Sequence, residues 1–252
     1  MTSHLHQTKM DGAVKTAAIM EALCASPAPL TVRDVEEQAS IPRSTAHRFL
    51  LSLEETGWVF LDGTSGGYRP GIRFLLLSNR MDLYDELIRT ADPEMRALMA
   101  ETGNTAVLSV LEGSRGFCIH TVEPATPVKF TAHRGMAVPL HAGATGKILL
   151  AHAAPEVRER VLAAPLSAPL GGDAVDTRRL REELEDIRKA GYATSSEEWM
   201  PHAGDISVPV FDRKGVFVAQ LGVAGIAESV FHDREGTVRL LTDAARRIQA
   251  QL

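Results

Sequence analysis

The chain has 252 residues, 44% of them hydrophobic and 23% charged, which is the composition of an ordinary globular protein with room for two small domains. Its formal net charge of −5 argues against a protein that coats nucleic acid or an anionic membrane over its whole surface. Residues 1–80 hold eight Lys or Arg and eight Asp or Glu, so the acidic excess lies in residues 81–252 and a polyanionic partner would prefer the N-terminal part.

Three short helices are predicted at the start of the chain. Residues 13–25 form an Ala-rich helical pattern that ends in a Pro-containing turn. Thr31 is a natural N-cap for the second helix, and Asp34, three positions later, approximates a capping box. The third helix follows the turn at Pro42, which suits a first helical residue without an N–H, and stops at Gly57.

The third helix has two different sides. Its apolar side has the i, i+3, i+4, i+7 spacing of a buried stripe, formed by Ala46, Phe49, Leu50 and Leu53. The remaining side and the N-terminal end carry groups that can bond base edges or phosphates, namely Arg43, Ser44, Thr45, His47 and Arg48. A solvated surface helix without a partner is the alternative interpretation of these residues.

A β-hairpin is predicted after the third helix. The segments WVFLD and GYRP are strand-like, and a Gly-rich turn joins them. Three helices followed by a hairpin describe a winged helix-turn-helix, in which the start of the third helix would enter the major groove of DNA. We therefore predict a DNA-binding domain over residues 11–70, with Arg69 placed to reach the DNA backbone.

The rest of the chain is predicted to be a linker helix followed by an α+β domain. Residues 71–91 form the linker helix, and a further helix restarts with Asp92 as its cap and Pro93 in its first turn. Residues 92–252 alternate between strand and helix patterns, which indicates an antiparallel sheet covered by helices.

No catalytic, metal or cofactor site is predicted in this second domain. The segment GATGK resembles a phosphate-binding loop, but His141 stands where its first glycine belongs and Ile148 where Ser or Thr should bind magnesium. Six histidines lack metal-site spacing: His120, His133, His141, His152, His202 and His232. Cys118 and His120 share one face of a strand, but we expect no carboxylate to orient the histidine.

The cysteines and the hydropathy of the chain predict its compartment. Cys24 and Cys118 are isolated, and each lies in an apolar pattern, so we expect two buried free thiols in a reducing environment. The sequence has no signal peptide and no apolar run of roughly 18 residues. These features predict a cytoplasmic protein that does not bind membranes.

Five segments, in this order, resemble the IclR family of bacterial transcriptional regulators. They are TVRDVEEQASIPRSTAHRFLLSLEETGWV, GGYRPGIRFLLL, VPLHAGATGKILLA, RKAGYATSSEEW and DISVPVFDRKGVFVAQLGVAG. The resemblance covers residues 13–250. It implies a winged helix that binds double-stranded operator DNA, a homodimer or homotetramer, and a GAF-like C-terminal domain that binds a small-molecule effector. It places the effector at Ala144, Thr145, Ser195, Asp205, Gly222 and Ala224.

The chain departs from the family pattern at four of these positions. Members that bind small keto acids tend to carry an acidic residue at position 195, Cys at 205, and Ser at 222 and 224. Loss of two hydroxyls at Gly222 and Ala224 should enlarge the cavity. An ionised Asp205 only accepts hydrogen bonds and would favour a ligand donor, unless it caps nearby N–H groups instead. We expect an effector larger than glyoxylate or pyruvate, with an aromatic or heterocyclic body.

The predicted function is ligand-responsive regulation of transcription, in which the effector shifts operator affinity. The alternative is an enzyme that converts a small molecule in its C-terminal domain, with the N-terminal domain as a protein-interaction module. The sequence leaves open the effector, the operator, and whether the protein represses or activates.

Overall fold

The structure, a computed structural model, describes residues 11–78, 84–127 and 129–252. The chain divides into two compact units, Met1–Leu83 and Tyr84–Leu252. In the described ranges, no helix is both long enough and apolar enough to span a membrane.

The N-terminal unit has the helices and the hairpin that the sequence predicts. Their bounds are α1 Gly12–Ala25, α2 Val32–Ala39, α3 Arg43–Glu55, β1 Val59–Leu61, β2 Tyr68–Pro70 and α4 Ile72–Ser78. The capping box of α2 is confirmed, since the Thr31 side chain accepts from the Asp34 N–H and the Asp34 carboxylate accepts from the Thr31 N–H. Pro42 precedes α3 as its N-cap, and Gly57 turns the chain after it at φ +75°.

The predicted buried stripe of α3 is also confirmed. Ala46, Leu50 and Leu53 are buried in one apolar cluster with residues of α1, α2 and the hairpin, and Phe49 packs against this cluster partly buried. The strands β1 and β2 pair in antiparallel fashion. This unit is therefore a winged helix-turn-helix, and the polar side of α3 lies on its surface.

The C-terminal unit is built on one six-stranded antiparallel sheet, in the order β5-β4-β3-β8-β7-β6. The strands are β3 Thr105–Glu112, β4 Arg115–Val122, β5 Ala137–Val138, β6 Ala193–Ser196, β7 Ala203–Phe211 and β8 Phe217–Ile226. The helices are α5 Asp85–Thr102, α6 Gly143–Ala151, α7 Pro155–Ala163, α8 Thr177–Ala190, α9 Ala227–Phe231 and α10 Arg234–Gln249. α5 and α10 pack on one face of the sheet and α6 on the other, with α8 over α6, so β3 and β8 are buried on both faces.

The predicted restart of a helix at Asp92 is wrong. The helix α5 runs without a break from Asp85 to Thr102 and contains Pro93 in its interior. Pro costs an interior helix one hydrogen bond, but α5 keeps an apolar stripe on both sides of it, which packs into the main core. That stripe consists of Leu87, Ala91, Met95 and Leu98. The Asp92 carboxylate does not cap a helix and instead accepts from Arg96 Nε at 2.7 Å.

The predicted linker helix, residues 71–91, is described only in part. Ile72–Ser78 forms α4, residues 79–83 lie outside the described residues, and Asp85 already begins α5. Since the two units divide between residues 83 and 84, the segment 85–91 that we assigned to the linker packs with the C-terminal unit.

Only one of the two cysteines is buried as predicted. Cys118 on β4 is fully buried, and its burial raises the pKa of the thiol to about 11. The prediction for Cys24 is wrong, because its side chain is exposed. The buried face of α1 consists of Ile19, Ala22 and Leu23, and the next position along a helix turns 100° away from that face.

His152 follows α6 directly and lies among aromatic side chains. Its ring stacks on Phe217 with the centroids 5.1 Å apart, and it meets Phe211 edge-on at 5.4 Å. Its Nε2 has no hydrogen-bond partner in the part of the chain that the structure describes. Burial, and to a smaller degree the charge of Arg188, lowers the pKa of His152 to about 4.

This burial predicts a loss of stability in acid. In the unfolded chain a histidine takes up a proton below its ordinary pKa of about 6.5, whereas folded His152 stays neutral until about pH 4. Stability is therefore lost as pH falls through that window, and His152 should contribute about 2 kcal/mol of loss between pH 7 and pH 5. Urea unfolding of His152→Phe should show a flatter pH profile than the wild type.

The exposed His232 provides the matched control, since His232→Gln should leave the pH profile unchanged. If His152→Phe loses as much stability as the wild type over the same pH range, the buried imidazole is not the cause.

Candidate functional site

The N-terminal half of α3 presents the polar side chains that the sequence singled out. Arg43, Ser44, His47 and Arg48 are exposed, and Thr45 is half-buried. The backbone N–H of Arg43 is already bonded to Glu36 Oε1 of α2 at 3.1 Å. This surface therefore offers side-chain donors to a partner, while one of the free N–H groups expected at the helix start is occupied.

Two arginines of the N-terminal unit lie over aromatic rings. The Arg48 guanidinium lies 5.7 Å from the centroid of Phe49, and the Arg69 guanidinium on β2 lies 4.8 Å from the centroid of Phe60 on β1. Within residues 11–78, neither Arg43, Arg48 nor Arg69 forms an ion pair with a carboxylate. Their charges are available to phosphates.

A partly enclosed cavity lies on the α6 side of the C-terminal sheet. About 450 Å³ between its lining residues is not filled by atoms, and this figure includes open solvent. Its walls are mainly apolar, formed by Val107, Phe130, Met136, Val138, Trp199, Met200, Ala203, Gly204 and Ala224. Its polar groups come from Thr145, Ser195, Glu198 and Asp205. An apolar space with a few convergent polar groups is the usual form of a small-molecule site.

Four of the six predicted effector residues line this cavity. The sheet register brings three of them together, since Ser195 on β6 faces Asp205 on β7, which faces Ala224 on β8. Thr145 joins them from the first turn of α6. Ala144 and Gly222 do not line the cavity: Ala144 contributes its backbone N–H to Asp205, and Gly222 is covered by other side chains.

The Asp205 carboxylate caps the start of α6. It accepts from the backbone N–H groups of Ala144 at 3.1 Å and Thr145 at 2.9 Å, and from Thr145 Oγ1 at 3.2 Å. Burial raises the pKa of Asp205, against the lowering effect of these donors, and the nearby Glu198 raises it further. The structure therefore shows the alternative that we left open, in which this carboxylate caps N–H groups. Asp205 itself lies on the strand β7.

Glu198 is a cavity residue that the sequence analysis missed. One of its oxygens accepts from the Gly143 N–H at 3.1 Å, and its carboxylate also binds Lys147 Nζ at 2.8 Å. Lys147 is 4% exposed and has a second acid partner, Glu183 on α8, at 2.6 Å. A lysine inside the apolar helix GATGKILLA was the available signal, because a buried lysine requires carboxylate partners.

The expected gain in cavity volume at Gly222 is not found. A side chain there would overlap Ser207 Oγ and the Gln220 amide, so other polar groups fill the space that a serine would take. Gln220 Nε2 donates to Ser207 Oγ at 2.8 Å, and that hydroxyl lies 3.3 Å from Thr145 Oγ1. Only the change at Ala224 opens space towards the cavity.

The structure corrects one detail of the Cys118 and His120 pair. A carboxylate does contact this histidine, since Asp92 Oδ1 lies 2.8 Å from His120 Nε2. The Cys118 thiol instead donates to the backbone oxygen of His120, and its raised pKa opposes the thiolate that a nucleophile needs. Among the described residues there is no group of three His, Cys, Asp or Glu side chains able to hold a metal ion.

A DNA-binding fold and a small-molecule cavity in one chain define the class of ligand-responsive regulators. Residues 12–63 match the IclR helix-turn-helix domain, and residues 83–250 match the model of the bacterial transcriptional regulator IclR C-terminal domain. The chain therefore belongs to the IclR family of bacterial transcriptional regulators.

Its relatives are named as regulators and not as enzymes. The HTH-type transcriptional regulator KdgR of Escherichia coli is 29% identical over 241 residues, which is 95% of this chain and 91% of KdgR. The HTH-type transcriptional repressor AllR of the same organism is 28% identical over 237 residues, covering 93% of this chain and 88% of AllR. The crystal structure of an IclR homolog from Microbacterium hydrocarbonoxydans, complexed with 4-hydroxybenzoate, has a TM-score of 0.80 and 29% identity, and the match covers 95% of this chain and 98% of that one. The protein is thus a ligand-responsive transcriptional regulator, and the enzyme alternative is excluded.

The two positions that lack the family serine should respond differently to substitution. Gly222→Ala should destabilise the protein by about 1–3 kcal/mol, because the added methyl group meets Ser207 and Gln220. Ala224→Ser adds a hydroxyl that points to the cavity and should change stability by less than about 0.5 kcal/mol. Denaturant unfolding of both variants measures the difference, and equal stability would contradict the packing described for Gly222.

Proposed function

We propose that this protein binds operator DNA as a homodimer or homotetramer in the cytoplasm, and that a single-ring effector in the cavity beside α6 changes its operator affinity. The observation that carries the proposal is the apolar cavity with convergent polar groups, in a chain that also bears a winged helix with unpaired cations.

The DNA contacts are assigned to one helix and the wing. Arg48 and His47 lie on the exposed side of α3 near its N-terminal end, the region that enters the major groove in this fold. The complete set of side chains assigned to DNA is Arg43, Ser44, Thr45, His47, Arg48 and Arg69. Arg69 is assigned to a phosphate, since it lies on the wing and its ring partner leaves its donors free.

The small size of the DNA-binding surface supports binding as a homo-oligomer. A single winged helix covers too little DNA for a specific operator, and helix-turn-helix proteins reach specificity by binding two half-sites. Two copies of this chain would place two α3 helices on one operator.

The chemistry of the cavity supports an effector larger than glyoxylate or pyruvate. Those acids have almost no apolar surface, whereas Phe130 and Trp199 line the cavity with ring centroids 6.3 Å apart. A ring would bury its faces against these walls and bring its polar substituents to Ser195 and Asp205. The ring-sized ligand of the Microbacterium homolog supports the same size of effector here.

Removal of Arg48 should weaken specific operator binding. In a mobility-shift assay with the DNA upstream of the gene, Arg48→Ala should weaken the specific complex by about 1–3 kcal/mol, because a bidentate base contact or a phosphate contact is lost. Arg239→Ala is the matched control, since it removes one exposed arginine from α10 of the other unit and should leave the shift unchanged. Equal effects of the two variants would point to a nonspecific charge effect.

Filling the cavity should uncouple the effector from the operator. A thermal-shift screen of ring compounds identifies ligands, since one at 100 times its Kd adds about 2.7 kcal/mol of stability. Ala224→Leu narrows the cavity and should remove both that thermal shift and the change in operator affinity, while operator binding without ligand persists. An effector response that survives in this variant would show that the ligand binds elsewhere.

A further inference from the structure

The first three N–H groups of α6 are not free to bind an acidic ligand. Backbone N–H groups at a helix N-terminus attract anions, and these three are bonded to two acids that line the cavity. Here Glu198 takes the N–H of Gly143, and Asp205 takes those of Ala144 and Thr145. The protein's own carboxylates thus occupy the positions that a ligand carboxylate would need.

The remaining electrostatics of the cavity also oppose an anion. Among the described residues that line it, the charged side chains are the two acids Glu198 and Asp205. The nearest cation, Lys147, is buried behind them and is bonded to Glu183 and Glu198. A bound carboxylate would face like charges within a weakly screened space, with neither a cation nor a free N–H group of the first turn of α6 to compensate its lost hydration.

Other polar groups of the cavity suit a ligand that donates. An ionised carboxylate accepts about four hydrogen bonds, and Asp205 receives three from α6. Ser195 is 5% exposed and lines the cavity, and its hydroxyl has no hydrogen-bond partner among the described residues. Phe130 and Trp199 also line the cavity, and an aromatic ring attracts a cation that lies over its face.

We propose that this regulator responds to a neutral or cationic ring compound that bears hydroxyl or amino donors and no carboxylate. The proposal rests on the assignment of the cavity as the effector site. Asp205 is the residue that sets this specificity, because its carboxylate stands where the ligand's acid group would otherwise bind.

Displacement of Asp205 by an acidic ligand is opposed by its position. The residue lies within β7, paired on both sides by β6 and β8, so its backbone cannot withdraw from α6. Rotation of the side chain away from α6 would leave a buried carboxylate without three of its hydrogen bonds.

Three probes of one shape test the inference: 4-hydroxybenzylamine, 4-hydroxybenzamide and 4-hydroxybenzoate, which are cationic, neutral and anionic near neutral pH. In calorimetric titrations of the full-length wild type, we expect the amine and the amide to bind about tenfold or more tightly than the benzoate. Asp205→Ser frees the two N–H groups and should shift the preference towards the benzoate by about tenfold or more. Asp205→Asn removes the charge but keeps an acceptor, and should produce a smaller shift in the same direction.

Thermal unfolding of each variant shows whether it is folded. If Asp205→Ser does not fold, Asp205→Asn is used for the test in its place. Equal or tighter binding of the benzoate by the wild type overturns the inference, and so does a folded Asp205 variant with an unchanged preference. If no probe binds the wild type or either variant, the cavity is not a site for such rings and the inference falls with that assignment. A mobility-shift assay on the same samples separates this result from a failure of DNA binding.

Discussion

The contact on which the C-terminal unit depends is the Asp205 carboxylate against the N-terminus of α6. Every residue of α6 is buried between the sheet and α8, so the free N–H groups at its start have little access to water. A buried donor without a partner costs about 1–3 kcal/mol, and Asp205 and Glu198 remove that cost for three of them. The charge of the cavity follows from this requirement, because the acids that cap α6 are also the acids that line the cavity.

The same arrangement links the cavity to the elements around it. Lys147 binds acids from α8 and from the connection between β6 and β7, and that connection also supplies Trp199 to the cavity wall. Two non-glycine residues in left-handed conformations, Glu197 at φ 57° and His202 at φ 60°, flank it, and the His202 N–H donates to the Glu197 side chain. Such conformations persist only where the surrounding contacts impose them. A ligand that contacts Trp199 therefore acts on a segment that is tied to α6 and α8 by charge.

Local sequence patterns were sufficient for the N-terminal unit. The capping box of Thr31 and Asp34, the stripe through Leu50 and the stop at Gly57 are features of neighbouring residues, so a sequence displays them directly. Local reasoning failed where a distant contact decided the outcome. Pro93 predicts a helix start, but the apolar stripe of α5 continues through it because the core of the other elements covers that stripe. Cys24 lies in an apolar pattern, yet its side chain lies on the exposed side of α1.

The cavity shows the same division between local and distant contacts. By itself, the sequence determined the family, the winged helix and the segments that build the cavity, because contiguous motifs specify each of them. Only the tertiary structure decided what those residues do. The register of β6, β7 and β8 aligns Ser195 with Asp205 and Ala224. The side chains of Ser207 and Gln220 fill the space beside Gly222. Because α6 is buried, its first N–H groups take Asp205 as their acceptor. The physical reason is that a carboxylate accepts hydrogen bonds from whichever donors lie beside it, in a ligand or in its own protein. For Asp205 one such donor is the Thr145 N–H, which lies 60 residues away in the chain.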